Sequence, residues 1–373
     1  MQPLKQEKIF TNHQLLTLLW PLIIEQTLSV LVGMADTFMV SSVGEAAISG
    51  VSLVDMINQL IITVFAALAT GGAVVTSQYL GAKKPEQAAR SAGQLVGLSA
   101  LLGLAVAAFC LLTRRPMLRL LFGSITDDVM DAALVYFTIT ALSFPFLALY
   151  NAGAAIFRST GNSAVSMKVS VIVNAINFCG NAICIFVLGM GVEGVAIPTL
   201  ISRAVGAFII LGLAAQHEYV LHITPRSVTH LEGGIVKSIL RIGIPSACEN
   251  SLFQLGRVLV VSMISLFGTV HISANAVANN LDAVGAIIGT AMGLAVITVV
   301  GRCVGAQDLD QAVYYTKKLM LYSWILILDS IQQSMKWKPI YSLWSFWYQM
   351  KQFLNTRNTR QAKLHVHLDI MRS

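Results

Sequence analysis

An all-α, polytopic membrane protein built from two parallel copies of one helical unit is the fold class predicted by this 373-residue sequence. Three observations predict it. The chain is 55% hydrophobic and only 12% charged, with a mean hydropathy of +0.71, whereas soluble domains carry about 25% charged residues. Several apolar runs exceed the ~20 residues that cross a bilayer as a helix. Residues 20–80 also recur from Ile244 onward at a constant offset of 224: Pro21 maps to Pro245, Glu25 to Glu249, Gly44 to Gly268 and Gly81 to Gly305. Without a gap, about 15 of the 68 positions from 21 to 88 are identical, which marks an internal repeat.

Taken in order, the apolar runs predict helix 1 at about 15–42 and helix 2 at about 47–79. Helix 2 exceeds one span, which sets its first turns at the interface. The polar stretch 81–90 reads as the loop to helix 3, at about 92–112, which carries no charge. Residues 113–130 read as another loop, before helix 4 at about 131–156 and helix 5 at about 169–189. The turn 189–194 leads to helix 6, at about 192–214. After a polar linker come helix 7, at about 243–267, and helix 8, at about 272–301. Pro21, Pro145, Pro198 and Pro245 are expected to kink their helices.

Lys/Arg placement orients the chain with its N-terminus in the cytoplasm. The inner loops then hold Lys5, Lys8, Lys83, Lys84, Arg158 and Arg302 among others, and the outer loops only Arg114, Arg115 and Arg119. Six helices separate the copies, an even number, so the two lobes are parallel repeats about an axis along the membrane normal. The domain reading is an N-terminal lobe at 1–215, a cytoplasmic linker at 216–241, a partial second lobe at 242–330 and a basic, aromatic tail at 331–373. Two units of 224 would end near residue 448, beyond the end of this chain. The ninth apolar segment, 319–328, is too short to span. The tail reads as unrelated to the fold, the product of a reading-frame change; the alternative is a divergent ninth helix with an interfacial Trp/Lys-rich segment.

Several function classes are excluded. The net charge of +7 is loop Lys and Arg of a membrane protein and calls for no nucleic-acid partner. The five cysteines lie in or beside apolar helices, with no metal or disulfide spacing. There is no P-loop, no nucleophile elbow, no metal-ligand cluster and no haem motif, so neither an enzyme nor a covalent cofactor is expected. No cleavable leader is read at the N-terminus.

Ionisable groups inside spanning helices are costly and mark function by default. Glu25 and Asp36 share one face of helix 1, since eleven residues at 100° return to within about 20°, about 16 Å apart along the axis. Asp36 is a candidate for proton or Na⁺ coupling. Glu25 recurs as Glu249, which fits either a lobe-lining or a packing role. Asn174, Asn177 and Asn181 lie on one face of helix 5, as inter-helix glue or as a network with Asp36 and Thr199 of helix 6. Asn250, Gln254 and Arg257 form a similar stripe on helix 7, either lining a substrate path or pairing with carboxylates. Asp55 and Asn58 recur with their order exchanged as Asn279 and Asp282, near outer helix ends that read as wet.

With these residues in hand, the chain resembles the multidrug and toxic compound extrusion (MATE) family. The matching segments are Trp20-Pro21, MADTFMV at 34–40, QYLGAKKPEQA at 78–88, FRSTGNS at 157–163, LGMGVEGVAIPTLISR at 188–203 and RIGIPSACENSLFQLGRVLVV at 241–261. The resemblance covers about residues 10–330, some 8–9 of the family's twelve transmembrane helices. It implies a two-lobed exporter in the inner (cytoplasmic) membrane, a monomer if full length. Such an exporter exchanges amphipathic, often cationic small molecules for Na⁺ or H⁺ by alternating access. It also implies that Asp36 couples the ion, assisted by positions matching Asn177, Asn181 and Thr199, with Glu249 or Gln254 at the acidic position of helix 7. Asn181 stands where the family often has Asp. With the second lobe half built, the polypeptide is expected to be inactive on its own. The rival readings are a lipid-linked precursor flippase of the same superfamily and a non-transporting membrane remnant.

Overall fold

The computed structural model describes residues 8–122, 126–216, 218, 221–229, 232–265 and 269–327, without the side chains of 258, 261, 262, 264, 265 and 269–285. The chain divides into two compact units, 1–321 and 322–373. Residues 322–327, the described part of the second unit, are helical. The expectations for 331–373 lie outside the described residues.

Every regular element among the described residues is helical. In order they are α1 (Asn12–Ser41), α2 (Glu45–Gly81), α3 (Pro85–Phe122), α4 (Asp127–Ser159), α5 (Ser163–Ala182) with a π-helical turn (Ile183–Val187), α6 (Glu193–Ala214), the short α7 (Pro225–Thr229), α8 (Gly233–Ser265) and α9 (Thr269–Gly305). Residues 309–327 are helical as well. By length and composition, α1 to α6 and the 286–305 part of α9 can cross a membrane. α8 is the expected helix 7, and its outer end runs into residues outside the described ones. Large apolar side chains such as Leu101, Leu104, Leu112, Phe38, Phe186 and Phe208 stand exposed on the outer faces. A soluble surface rarely tolerates such patches, whereas lipid does.

Two loop expectations are corrected. The loop before α3 is only residues 82–84, because α3 starts at Pro85; proline suits the first helical position, where its missing N–H costs nothing. The expected loop at 113–130 is largely the end of α3, which runs through Pro116 to Phe122. Arg and Leu are good helix formers, Leu118 is fully buried, and Arg114 Nη1 donates to Thr138 Oγ1 of α4 at 2.9 Å. The linker region is also partly helical: it contains α7 and the first turns of α8.

The core lies in two layers. One gathers Val54, Phe65, Leu118, Phe137 and Phe144; the other gathers Leu95, Ile156, Ile210 and Ile239. α2 packs against α3, α4, α8 and α9, and so runs through the middle of the bundle.

The internal repeat is visible in the backbone. α2 and α9 are both 37 residues long, and both their ends are in register at the 224 offset. Each ends in the same cap. Lys83 and Gln307 adopt left-handed φ values of 57° and 59°. The Lys84 N–H donates to Tyr79 O at 3.0 Å, and the Asp308 N–H to Cys303 O at 3.1 Å, the 6→1 bond of a Schellman motif. The last residue of each helix, two positions earlier, is a glycine. A Cβ on Gly81 would lie 2.0 Å from Arg302 O, and one on Gly305 would lie 2.0 Å from Gln78 O. Arg302 is the repeat partner of Gln78, so the contact is reciprocal about the pseudo-twofold axis.

The segment 8–12 is tied to the region just after α9. Tyr315 Oη donates to Phe10 O at 2.7 Å and accepts from Phe10 N–H at 3.1 Å, and Ile9 N–H donates to Gln311 Oε1 at 2.9 Å. At the end of α4, Thr298 Oγ1 donates to Arg158 O at 2.9 Å and Arg302 Nη2 to Ser159 O at 3.1 Å. Ser159 O is one of the last carbonyls that a helix C-terminus leaves without an internal partner, whereas Arg158 O also accepts from Gly161 N–H at 2.9 Å.

Candidate functional site

Asp36 lies near the end of α1, where α1 packs on α5. Asn177 and Asn181, one turn apart on α5, face it, and the π-helical turn begins two residues after Asn181. Such bulges widen a helix locally and are frequent at functional sites. Asn181 Nδ2 donates to Asp36 Oδ1 at 2.8 Å. With the Asn177 amide turned so that its nitrogen faces the carboxylate, it donates to Asp36 Oδ2 at 3.1 Å and Oδ1 at 3.2 Å, while its oxygen accepts from Thr199 Oγ1 of α6 at 3.0 Å. That orientation gives the carboxylate a second amide donor, at the expense of the 3.3 Å bond from Asn181 Nδ2 to the Asn177 amide oxygen. Asn181 is fully buried and Asn177 nearly so. Asn174 Nδ2 donates to Ser170 Oγ at 3.3 Å along its own helix.

Asp36 opens onto a cavity of about 390 Å³ between α1, α2, α4, α5 and α6. Asn174, Asn177 and Thr199 line it too, together with apolar side chains such as Val32, Ile48, Val51 and Ile62. This volume is in the range of small-molecule sites.

The cavity has a second polar group. Asp55 and Asn58 of α2, Tyr136 of α4 and Arg203 of α6 line it. Tyr136 Oη donates to Asp55 Oδ1 at 3.1 Å and Asn58 Nδ2 donates to the same oxygen at 3.2 Å. Arg203 Nη1 donates to Ser143 Oγ at 2.7 Å. Two carboxylates and one guanidinium thus share the cavity. In the sequence, Asp55 stands near a helix end that reads as wet, and Tyr136 carries no signal of its own. An alternation of polar residues on the inner face of α4 would have been needed to find it, and α4 is too uniformly apolar to show one.

The remaining candidates lie elsewhere. Glu25 is buried, and its carboxylate accepts from Arg158 Nη1 at 3.1 Å and from Ser166 Oγ at 2.9 Å. It ties α1 to the end of α4 and the start of α5 and does not line the Asp36 cavity. Its repeat partner Glu249 is exposed on α8, as are Asn250 and Arg257, and Gln254 is half-buried. Asn250 Nδ2 donates to Ser246 O of its own helix at 2.9 Å. None of these four lines the cavity. The side chains of Asn279 and Asp282 lie outside the described residues. Among the described residues, no three His, Cys, Asp or Glu side chains cluster closely enough to hold a metal ion.

The chain is 29% identical over 320 residues to an uncharacterized transporter, YisQ, of Bacillus subtilis, covering 84% of this chain and 69% of that protein. It is 26% identical over 338 residues to a probable multidrug resistance protein NorM of Thermotoga maritima, covering 87% and 69%. Among solved structures, it superposes on a MOP-superfamily transporter from Pyrococcus furiosus with TM-score 0.74 at 23% identity, over 83% of this chain and 68% of the other. A multidrug-resistance MATE transporter in an outward-facing conformation gives TM-score 0.75 at 24% identity over the same shares. The MatE family model matches residues 21–183 and 245–328, most of the chain, and the protein belongs to that family.

Proposed function

We propose that the protein works as a secondary active exporter that exchanges amphipathic, often cationic compounds for Na⁺ or H⁺ by alternating access. It would do so in the cytoplasmic membrane, with its N-terminus in the cytoplasm. The carrying observation is a carboxylate, Asp36, that faces a cavity of ligand size and is held by amides of α5. An isolated carboxylate is expensive inside a bilayer, and one kept there beside a cavity is placed to gain and lose a cation. Asn181, Asn177 and Thr199 orient Asp36, and Asn174 completes the polar wall. The transporter family of the chain supports a transport role. The flippase reading is disfavoured because Arg203 is the one basic side chain among the described lining residues, too few for a pyrophosphate. Glu25 is assigned to packing, and Glu249, Asn250, Gln254 and Arg257 to a path outside this cavity.

The test is efflux of a cationic dye from cells producing the protein or its Asp36→Asn variant. Faster efflux by the unmodified protein supports coupling at Asp36, and equal, measurable efflux by both sinks it. If neither moves dye, dye binding to purified protein reads the same residue. Na⁺ or protons should then displace dye from the unmodified protein and not from Asp36→Asn.

A further inference from the structure

We propose that Asp55 and Asn58 of α2 form a second cation subsite in the cavity, one that takes the protonated amine of a transported compound. The proposal rests on reading the Asp36 cavity as the transport cavity. Two donors, Tyr136 Oη and Asn58 Nδ2, converge on Asp55 Oδ1. They fix the carboxylate and leave Oδ2 facing no protein donor among the described residues. Asn58 supplies the independent observation. It is only 4% exposed, it lines the cavity, and its Oδ1, shielded from solvent, has no hydrogen-bond partner among the described residues. A buried acceptor left unmade is unfavourable, and a ligand that brings a donor relieves it.

The missing partner is therefore a donor, and beside Asp55 it is a cationic one. A protonated amine carries several N–H donors from one charged centre, enough for Asp55 Oδ2 and, once the Asn58 side chain turns toward the cavity, for its shielded Oδ1 as well. A bare hard cation asks for about six oxygens or more, and these two residues do not supply them. The neighbouring Val51, Ile48 and Ile62 offer apolar surface to the rest of an amphipathic amine. Charge then sets the traffic. Asp36 and Asp55 against Arg203 leave the cavity one negative charge when both acids are ionised. One cation neutralises it and a second overcharges it. Coupling ion and amine thus compete across the cavity without sharing a carboxylate, which is what an exchanger requires.

The experiment uses the purified full chain and two fluorescent probes with the same alkyl arm, one ending in a primary ammonium and the other in a trimethylammonium. The unmodified protein should bind the primary ammonium more tightly. Asp55→Asn and Asn58→Leu should each weaken it by about ten- to a hundredfold, the range for a hydrogen bond to a charged group, and close the gap between the probes. Asp55→Ser serves as a second variant if either fails to purify as a monodisperse, cooperatively melting protein. Equal binding of both probes by the unmodified protein, or an unchanged ratio in the Asp55 variants, overturns the subsite. Displacement by Na⁺ or protons, lost in Asp36→Asn, reads the coupling proposal separately, so either proposal can fail alone.

Discussion

Gly81→Ala and Gly305→Ala should each pry apart the crossing of α2 and α9. The new methyl would lie 2.0 Å from a backbone oxygen, whereas ordinary contact begins near 3.4 Å, so the helices must part by about 1.4 Å. The opposing atoms are main chain, with carbonyl carbon and Cα also within 2.8 Å, and no rotamer change relieves the clash. Overpacking of this kind costs about 1–3 kcal/mol. Spent on opening the crossing, that energy raises the open population by about five- to 150-fold. Cys303 reports it. This native thiol on α9 is fully buried near the crossing, so its labelling follows local opening. In a background with the other four cysteines replaced by alanine, membrane-permeant maleimide should label Cys303 faster by that factor in either variant. The double variant should cost less than the sum of the singles, because one methyl already spreads the helices that the other needs apart. Unchanged labelling in both single variants would refute the reasoning, and strictly additive effects would refute the shared crossing.

Three further outcomes are expected. Removing one partner of the buried Glu25–Arg158 pair should destabilise by about 3–5 kcal/mol through the stranded charge, whereas the paired change Glu25→Gln with Arg158→Met should restore much of the loss; melting of the detergent-solubilised protein measures both. Lys83→Gly and Gln307→Gly should each stabilise by about 0.5–1 kcal/mol, since left-handed φ penalises any residue with a Cβ by about 1–2 kcal/mol and glycine returns part of that gain as entropy; a fall in melting temperature would contradict this. Tyr315→Phe removes both bonds to Phe10 and should speed tryptic cleavage after Lys8, with cleavage at the wild-type rate as the contrary result.

The spanning helices were legible in the sequence because a bilayer demands long apolar runs, and the repeat register was legible because it needs no gap. The ends of α3 were not. Polar residues at 81–90 and 113–122 look like loops when hydropathy is the only guide, yet Pro85 and the Arg/Leu pattern of 114–121 carry helix signals that a membrane reading overrides. In the site, Asp36, Asn177, Asn181 and Thr199 stood out as polar groups in apolar helices. Asp55 did not, because its place near a helix end gives a carboxylate an ordinary excuse to face water. Only the packing of α4 on α2, and of α6 on α4, shows that Tyr136 and Arg203 reach the cavity it faces. Glu25 shows the opposite limit: its repetition as Glu249 marked it for attention, but repetition alone cannot separate a packing ion pair from a ligand.

The two copies of the repeat share frame and differ in chemistry, and the division between the two is informative. Lengths of α2 and α9, the left-handed residues at 83 and 307, and the glycine contacts at 81 and 305 coincide at the 224 offset. All of these lie on or near the axis relating the lobes, where each copy is the other's neighbour and a change in one is felt by both. The charged residues of the cavity lie off that axis and are free to diverge. Asp36 becomes Val260, Asp55 becomes Asn279 and Asn58 becomes Asp282. The arrangement is thus reciprocal where the two copies meet and asymmetric among the residues that line the cavity. Transplanting Asp36 to position 260 should therefore leave the crossing, read by Cys303 labelling, untouched, because residue 260 stands on α8 away from it. Faster labelling in Val260→Asp would show that frame and chemistry are not separable in this fold.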